Sequence, residues 1–303
     1  PLAALAPFLA PVGIVPAAGT WGGSLDVTFV GGEAIVTSTR AVAAQGVALE
    51  RDGQPWIEGV DVVLPIRADR KGLALDGFEA GMGGRRLVGG TASVRPLDDG
   101  GWAAEGKVMV DLGDLAGQPG WEALPLERLR GVQVEATAKA RAEAGRAPVV
   151  TDGTATIRRG STVLLRVAQR VPVTLGETLP SGPLASARAE QLPLESLAAL
   201  VPGLSLAGTL DRAELTLGAR GDGNWYVRSE AAPVTFAKTS VGWAGKPYLV
   251  DCDLSTELDL SFGAKPVLRF TKTDLLCRGR TLASGTATVP LDGSWPTGEV
   301  SGE

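Results

Sequence analysis

The stretch VDCDLSTELDLSF, residues 250–262, decides the fold because its side chains alternate in character at every position. The even-numbered positions are apolar or threonine, and the odd-numbered positions are Asp, Ser or Glu. Successive side chains of a β-strand point to opposite faces of the sheet. The pattern therefore predicts one long strand with an apolar face and a charged face, which is typical of antiparallel sheets with one solvated side.

A short loop after this strand, GAKP at 263–266, sets the register of the next strand. Pairing Phe262 with Val267 across this loop brings two oppositely charged pairs, a leucine pair and a cysteine pair together. The pairs are Asp251 with Arg278, Cys252 with Cys277, Leu254 with Leu275, and Glu257 with Lys272.

The facing cysteines, Cys252 and Cys277, are the only two in the chain. Their placement predicts a cross-strand disulfide and therefore an oxidising compartment. Two buried free thiols are the alternative that the sequence leaves open.

Shorter stretches of the chain repeat the same alternation, and the chain contains little sequence with helical spacing. We therefore expect a mostly β fold, an extended and twisted antiparallel sheet that forms a half-open groove. The apolar positions of the shorter stretches are Leu25, Val27, Phe29, Val60, Val62, Leu64, Ile66, Leu215 and Leu217.

Four landmarks recur in the same order near the two ends of the chain, which indicates a duplicated unit. The duplication predicts a β-groove unit at 1–100, a degenerate middle unit at 101–190 and a second β-groove unit at 191–303. The matching stretches are PLAALAPFLAPVG from Pro1 and PLESLAALVPGL from Pro193, AGT at 18–20 and 207–209, GQPWIEGVDV from Gly53 and GKPYLVDCDL from Gly245, and GGRRLVGGTASVRPLDDG from Gly83 and RGRTLASGTATVPLDG from Arg278.

Short helices are expected at the junctions of the units. LPLERL at 124–129 echoes LPLESL at 192–197, and the second copy begins a series of apolar side chains at helical spacing, Leu194, Leu197, Ala198 and Val201. The sequence predicts helical segments near 1–11, 113–130 and 183–201.

These landmarks resemble the AsmA-like family of bacterial envelope proteins, of the AsmA, TamB and YhdP type. The likeness lies in LPLxxL followed by an AGT strand entry, in the long strand after GKPYLVDCDL, and in the ending GRTLASGTATVPLDG. The resemblance implies repeating β-units whose apolar groove carries phospholipid acyl chains across the periplasm, between the inner and outer membranes. It also implies an inner-membrane anchor and membrane contacts in regions outside this chain.

Under that resemblance, the apolar positions of the strands would line the groove and contact the acyl chains. An exposed apolar face favours this role, because burying each CH₂ group contributes about 0.8 kcal/mol. The expected lining residues are Leu25, Val27, Phe29, Val60, Val62, Leu64, Ile66, Leu215, Leu217, Val250, Leu254, Leu258, Leu260 and Phe262.

Composition argues against several other classes of function. The chain has no histidine, which removes the commonest general base and the imidazole ligand of most zinc enzymes. A formal net charge of −5 and 5% aromatic residues disfavour nucleic-acid binding. We therefore expect no enzyme activity, no catalytic residues, no metal site and no cofactor.

The same alternation is compatible with a second interpretation. Two sheets of an ordinary β-sandwich would cover each other's apolar faces. The chain would then be a structural or adhesive envelope protein without a lipid ligand.

Overall fold

The fold is mostly β, as the sequence predicts. The computed structural model describes residues 14–51, 53–121, 126–198, 203–221, 224–230, 232–262, 266–290 and 297–301. All nineteen strands in these ranges belong to one antiparallel sheet, in which most strands pair with their neighbours in the sequence.

The strands divide between two compact units. Unit 1 comprises 1–155 and 172–178, and unit 2 comprises 156–171 and 179–303, so that β9 contributes residues to both. The strands are β1 (Ile14–Val30), β2 (Glu33–Arg51), β3 (Gln54–Leu64), β4 (Ile66–Asp69), β5 (Gly72–Met82), β6 (Arg85–Pro96), β7 (Trp102–Asp111), β8 (Val132–Ala142), β9 (Val149–Arg159), β10 (Thr162–Gln169), β11 (Val173–Thr174), β12 (Gly182–Pro193), β13 (Leu204–Ala219), β14 (Trp225–Ser229), β15 (Val234–Trp243), β16 (Lys246–Phe262), β17 (Val267–Cys277), β18 (Arg280–Pro290) and β19 (Thr297–Ser301).

The repeat in the sequence is also a repeat of hydrogen-bond register. In unit 1 the pairing of β1 with β2 shifts between Ala18 and Thr20, and in unit 2 the pairing of β13 with β15 shifts between Ala207 and Thr209. These are the two AGT landmarks, and their central glycines have positive φ angles of 128° and 111°. Each AGT is therefore a β-bulge, which explains why a glycine stands between the two strand segments.

A second register shift occurs at equivalent positions in the strand pairs β5–β6 and β17–β18. Leu75 pairs with Ala92 before the shift in unit 1, and Phe270 pairs with Ala287 before the shift in unit 2. Both members of the second pair lie 195 residues after their counterparts in the first. The two hairpins therefore share a register, although their first strands, β5 and β17, have only Leu73 and Leu268 as an identical pair.

Helical structure is shorter than the sequence predicts. The segment predicted near 113–130 contains three 3-10 turns, at Leu112–Leu115, Pro119–Trp121 and Leu126–Leu129. In the segment predicted near 183–201, only the single helical turn α1, Glu195–Ala198, is described. The segment predicted near 1–11 lies outside the described residues.

The first half of the predicted helix at 183–201 is strand β12, so that prediction was wrong. Ala187 and Ala189 are buried, whereas Arg188 and Glu190 between them are exposed. This spacing of two is that of a strand, and pairing with β13 outweighs the good helix propensity of alanine, arginine and glutamate.

Each unit has a small buried cluster on the apolar face of its strands. Both LPLxxL motifs contribute to these clusters through their second leucine: Leu126 is 3% exposed in unit 1 and Leu194 is 2% exposed in unit 2. The buried residues are Ala44, Val47, Val60, Leu87, Leu115 and Leu126 in unit 1, and Ala189, Leu192, Leu194, Leu210, Ala213 and Val234 in unit 2.

Candidate functional site

Apolar side chains of unit 2 form rows that run across the strands. One row passes from Leu210 through Phe236 and Leu254 to Leu275 and Ala283, each the direct cross-strand partner of the next. Because cross-strand partners share a face of the sheet, these five side chains lie on the same side. The row begins in the buried cluster at Leu210 and continues away from it over β16, β17 and β18.

The outer part of this row borders an open depression of about 410 Å³. Its floor is aliphatic or aromatic, apart from threonine and serine positions, and contains no charged residue. The lining residues are Leu254, Phe270, Thr273, Leu275, Ala283, Ser284, Gly285, Thr286 and Ala287. We call this surface the apolar depression.

A threonine pair beside the depression has its hydrogen bonds satisfied within the protein. Thr256 is 1% exposed, and its Oγ1 lies 2.7 Å from Oγ1 of Thr273. The Thr273 hydroxyl can donate to Thr256, whose own hydroxyl can donate to the backbone carbonyl of Glu257 at 3.2 Å, so both donors have an acceptor at this position.

The sequence identified only one lining residue of the depression, Leu254, as a candidate contact. Phe270, Ala283 and Ala287 were missed because they lie on the two following strands, whose alternation is weak. Extending the register from the Leu254–Leu275 pair to β18 would have found Ala283, the next partner of Leu275.

The predicted register between β16 and β17 is correct over its first half and wrong over its second. Cys252 faces Cys277 and Leu254 faces Leu275, but Ser261, not Phe262, faces Val267. Lys272 has a φ of +48° and forms a bulge that absorbs one residue. Glu257 therefore pairs with Thr271, although its carboxylate still reaches the ammonium of Lys272 at 2.6 Å.

Cys252 and Cys277 are joined in a disulfide in this structure. Cys252 is 2% exposed and also lies opposite Thr239 of β15. The bridge therefore links β16 to β17 beside the row of Leu254 and Leu275.

Val250 departs from the alternation that placed it with the other lining residues of β16. Asp251 has a φ of +53°, and beyond this bulge Leu249, not Val250, pairs with Val241. Val250 is 59% exposed and does not belong to the rows that contain Leu254. The bulge at Asp251 shifts the alternation by one residue, so the side chains before it in the strand exchange faces.

The remaining candidates of unit 2 lie on the apolar face with partial exposure. Leu215 and Leu258 pack against the buried cluster, whereas Phe262 is 43% exposed at the end of its strand. Leu217 and Leu260 are half-buried and belong to one row through Val227.

In unit 1, the candidates differ widely in exposure. Leu25, Val27 and Phe29 of β1 are 51%, 55% and 74% exposed, so this part of the apolar face is accessible. Val60 is 4% exposed beneath the 3-10 turns, and Val62 packs against the same cluster. Val60 is therefore a core residue rather than a contact for a ligand.

The other two candidates in unit 1, Leu64 and Ile66, are half-buried. A depression of about 570 Å³ in this unit lies instead over polar side chains that include Asp76, Glu105 and Lys107. A twisted sheet can present concave regions on either face, and this one lies on the polar face.

Charged residues of unit 2 are paired with one another on the polar face. Arg188 lies opposite Glu214, and Lys272 contacts Glu257. Arg170 and Glu230 form a two-pronged ion pair, and the Arg170 hydrogen bonds lower the pKa of Glu230 below its ordinary value. These pairs stabilise the polar face locally, and none of these residues borders the apolar depression.

Comparison with known proteins identifies no relative. No protein-family model matches the chain, and no curated protein or solved structure is significantly similar to it. Within the described ranges, the structure contains no helix that is long and apolar enough to cross a membrane. The same part of the chain brings no three His, Cys, Asp or Glu side chains together as a metal site.

Proposed function

We propose that this chain is a segment of a periplasmic lipid-transport protein that carries acyl chains on the apolar face of its sheet. The observation that carries the proposal is the uncovered row of Leu254, Leu275 and Ala283, which borders the apolar depression. Each methylene group that leaves water there contributes about 0.8 kcal/mol. Holding an acyl chain in this way requires no catalytic residue.

Two further observations support the proposal. The exposed leucine, valine and phenylalanine of β1 offer apolar surface in unit 1 as well, so acyl contact is not limited to a single pocket. The Cys252–Cys277 disulfide fits an oxidising compartment such as the periplasm. The proposed cargo is a phospholipid or another acyl lipid, with the inner and outer membranes as its source and destination.

The experiment is the analysis of lipids that copurify with the protein and two of its variants. Leu275 faces the depression, whereas its neighbour Leu276 pairs with Asp253 on the opposite face and is 37% exposed. We expect organic extraction to yield phospholipid from the original protein and from Leu276→Asp, but much less from Leu275→Asp. Absence of lipid from the original protein, or equal loss in both variants, would count against the proposal. Far-UV circular dichroism checks that both variants remain folded.

A further inference from the structure

A polypeptide segment covers the end of the apolar face in unit 1. The 3-10 turns of residues 112–121 and 126–129, here called the cap, bring Leu115 and Leu126 onto Leu87 and Val60. All four leucine and valine side chains are at most 6% exposed. The cap therefore shields this end of the apolar face from water, together with Leu87 at the start of β6.

The cap is also held to strand β3 by specific contacts. Gln118 is 2% exposed, its Oε1 accepts a hydrogen bond from the Glu58 backbone N–H at 2.8 Å, and its Nε2 donates to the Glu58 carbonyl at 3.3 Å. Trp121 stacks on Trp56 with ring centroids 6.3 Å apart. A buried amide and an aromatic pair together fix the position of the cap on the strand.

The repeat identifies the same surface in unit 2. Tyr248 and Val250 lie 192 residues after Trp56 and Glu58, and Leu282 lies 195 residues after Leu87. In unit 2 these residues are 70%, 59% and 51% exposed. We call the surface of Tyr248, the Val250 backbone and Leu282 the arm surface.

The cap segment of unit 1 and the residues around the arm surface of unit 2 carry opposite net charges. The segment 112–129 contains Asp114, Glu122, Glu127 and a single arginine, Arg128, so it is acidic. Lys246, Arg278 and Arg280 are exposed residues of the two hairpins that border the arm surface, and they outnumber the exposed carboxylate next to Val250, that of Asp251. Such charges increase the rate of association and favour acidic partners.

We propose that the arm surface of unit 2 docks an acidic, leucine-rich segment of a partner polypeptide with the chemistry of residues 112–129. The partner would place leucines on Leu282, an aromatic ring on Tyr248 and a side-chain amide on the Val250 backbone. The unit 1 cap is the internal precedent for each of these three contacts.

Docking would also overlap the apolar depression. The counterparts of Leu254, Leu275 and Ala283 in unit 1 are Val62, Ala80 and Val88, and these three residues pack against the capped cluster. A docked segment would therefore compete with an acyl chain for this row. This consequence rests on the proposed lipid function, whereas the docking itself does not.

The test uses a fluorescent synthetic peptide of residues 112–129 and the purified full chain, with binding followed by fluorescence anisotropy. We expect saturable binding that Leu282→Asp or Tyr248→Ala weakens roughly tenfold or more, as central contacts of an interface do. Leu276→Asp, on the opposite face, is the matched control and should bind normally. A peptide with Gln118→Ala should bind more weakly than the original peptide.

The variants also separate the arm surface from unit 1, because neither Leu282 nor Tyr248 belongs to that unit. Binding that survives both Leu282→Asp and Tyr248→Ala, or no saturable binding at all, would overturn the docking proposal. Copurifying phospholipid is measured separately, so a failure of docking leaves the lipid result unaffected. Displacement of that lipid by the peptide would support the overlap, and simultaneous occupancy would contradict it.

Discussion

Asp61 and Asp253, which lie 192 residues apart, make the same hydrogen bond in their respective units. The Asp61 carboxylate accepts from the backbone N–H of Gly46 at 3.0 Å, and the Asp253 carboxylate accepts from that of Lys238 at 2.9 Å. Both N–H groups belong to bulge residues with positive φ, of 59° and 50°. A bulge leaves a backbone group without a partner in the ladder, and each carboxylate satisfies one.

We expect Asp253→Ala and Asp61→Ala each to lower the free energy of unfolding by about 1 kcal/mol, the typical net value of one such bond. Urea unfolding measures the effect, and Asp274→Ala in the neighbouring strand β17 is the control for loss of an exposed carboxylate. Equal effects of Asp253→Ala and Asp274→Ala would show that the bulge hydrogen bond has no specific contribution.

The bulges themselves provide a second matched pair of substitutions. The left-handed conformation costs roughly 1–2 kcal/mol for a residue with a Cβ, and glycine avoids most of this cost. We expect Lys238→Gly to stabilise the protein by about 1 kcal/mol and Gly46→Lys to destabilise it by a similar amount. Thermal and urea unfolding should give changes of opposite sign; destabilisation by Lys238→Gly would contradict the assignment of strain.

Leu87 and Leu282 allow a comparison of covered and uncovered positions. Leu87 is 4% exposed under the cap, and Leu282 is 51% exposed. Leu87→Ala should lower the unfolding free energy by about 3 kcal/mol, as for other buried leucines, and Leu282→Ala by less than about 0.5 kcal/mol. Comparable losses for the two variants in chemical denaturation would mean that Leu282 is buried in solution.

The ion pair of Arg170 and Glu230 predicts a specific dependence on pH. Hydrogen bonds from Arg170 lower the pKa of Glu230, so the ionised carboxylate is favoured by the fold. Its stabilising contribution is present above the ordinary carboxyl pKa and is lost as the pH falls through the lowered value. NMR titration of the Glu230 carboxyl should show its pKa rising in Arg170→Gln but not in Arg166→Gln. An unchanged Glu230 pKa in Arg170→Gln would contradict the assignment of the lowered pKa to the Arg170 hydrogen bonds.

Much of the sheet could be predicted because alternation and register constrain each other. Cys252 could be paired with Cys277, and Leu254 with Leu275, from one choice of loop. The same argument failed at Glu257, because a lysine at position 272 gives no sign of a left-handed bulge. The equivalent residue in unit 1 is Gly77, with a φ of +87°, where a bulge could have been suspected.

The candidate site was harder to predict than the sheet. Leu87 and Leu282 occupy equivalent positions of the repeat, yet Leu87 is 4% exposed and Leu282 is 51% exposed. The difference comes from the cap, which packs on Leu87 in unit 1. Short 3-10 turns have weak sequence signals, so the pattern alone could not show which apolar positions the cap would cover.

The most direct test of the central claim is photocrosslinking from two adjacent positions of β17. Phe270 pairs with Leu258 and Ala287 on the apolar face, and Arg269 pairs with Asp259 and Thr288 on the polar face. With a benzophenone amino acid at one position or the other, we predict crosslinks to copurifying phospholipid from position 270 and few or none from position 269. Equal crosslinking from both positions, or none from position 270, would contradict the proposal that the apolar face carries acyl chains.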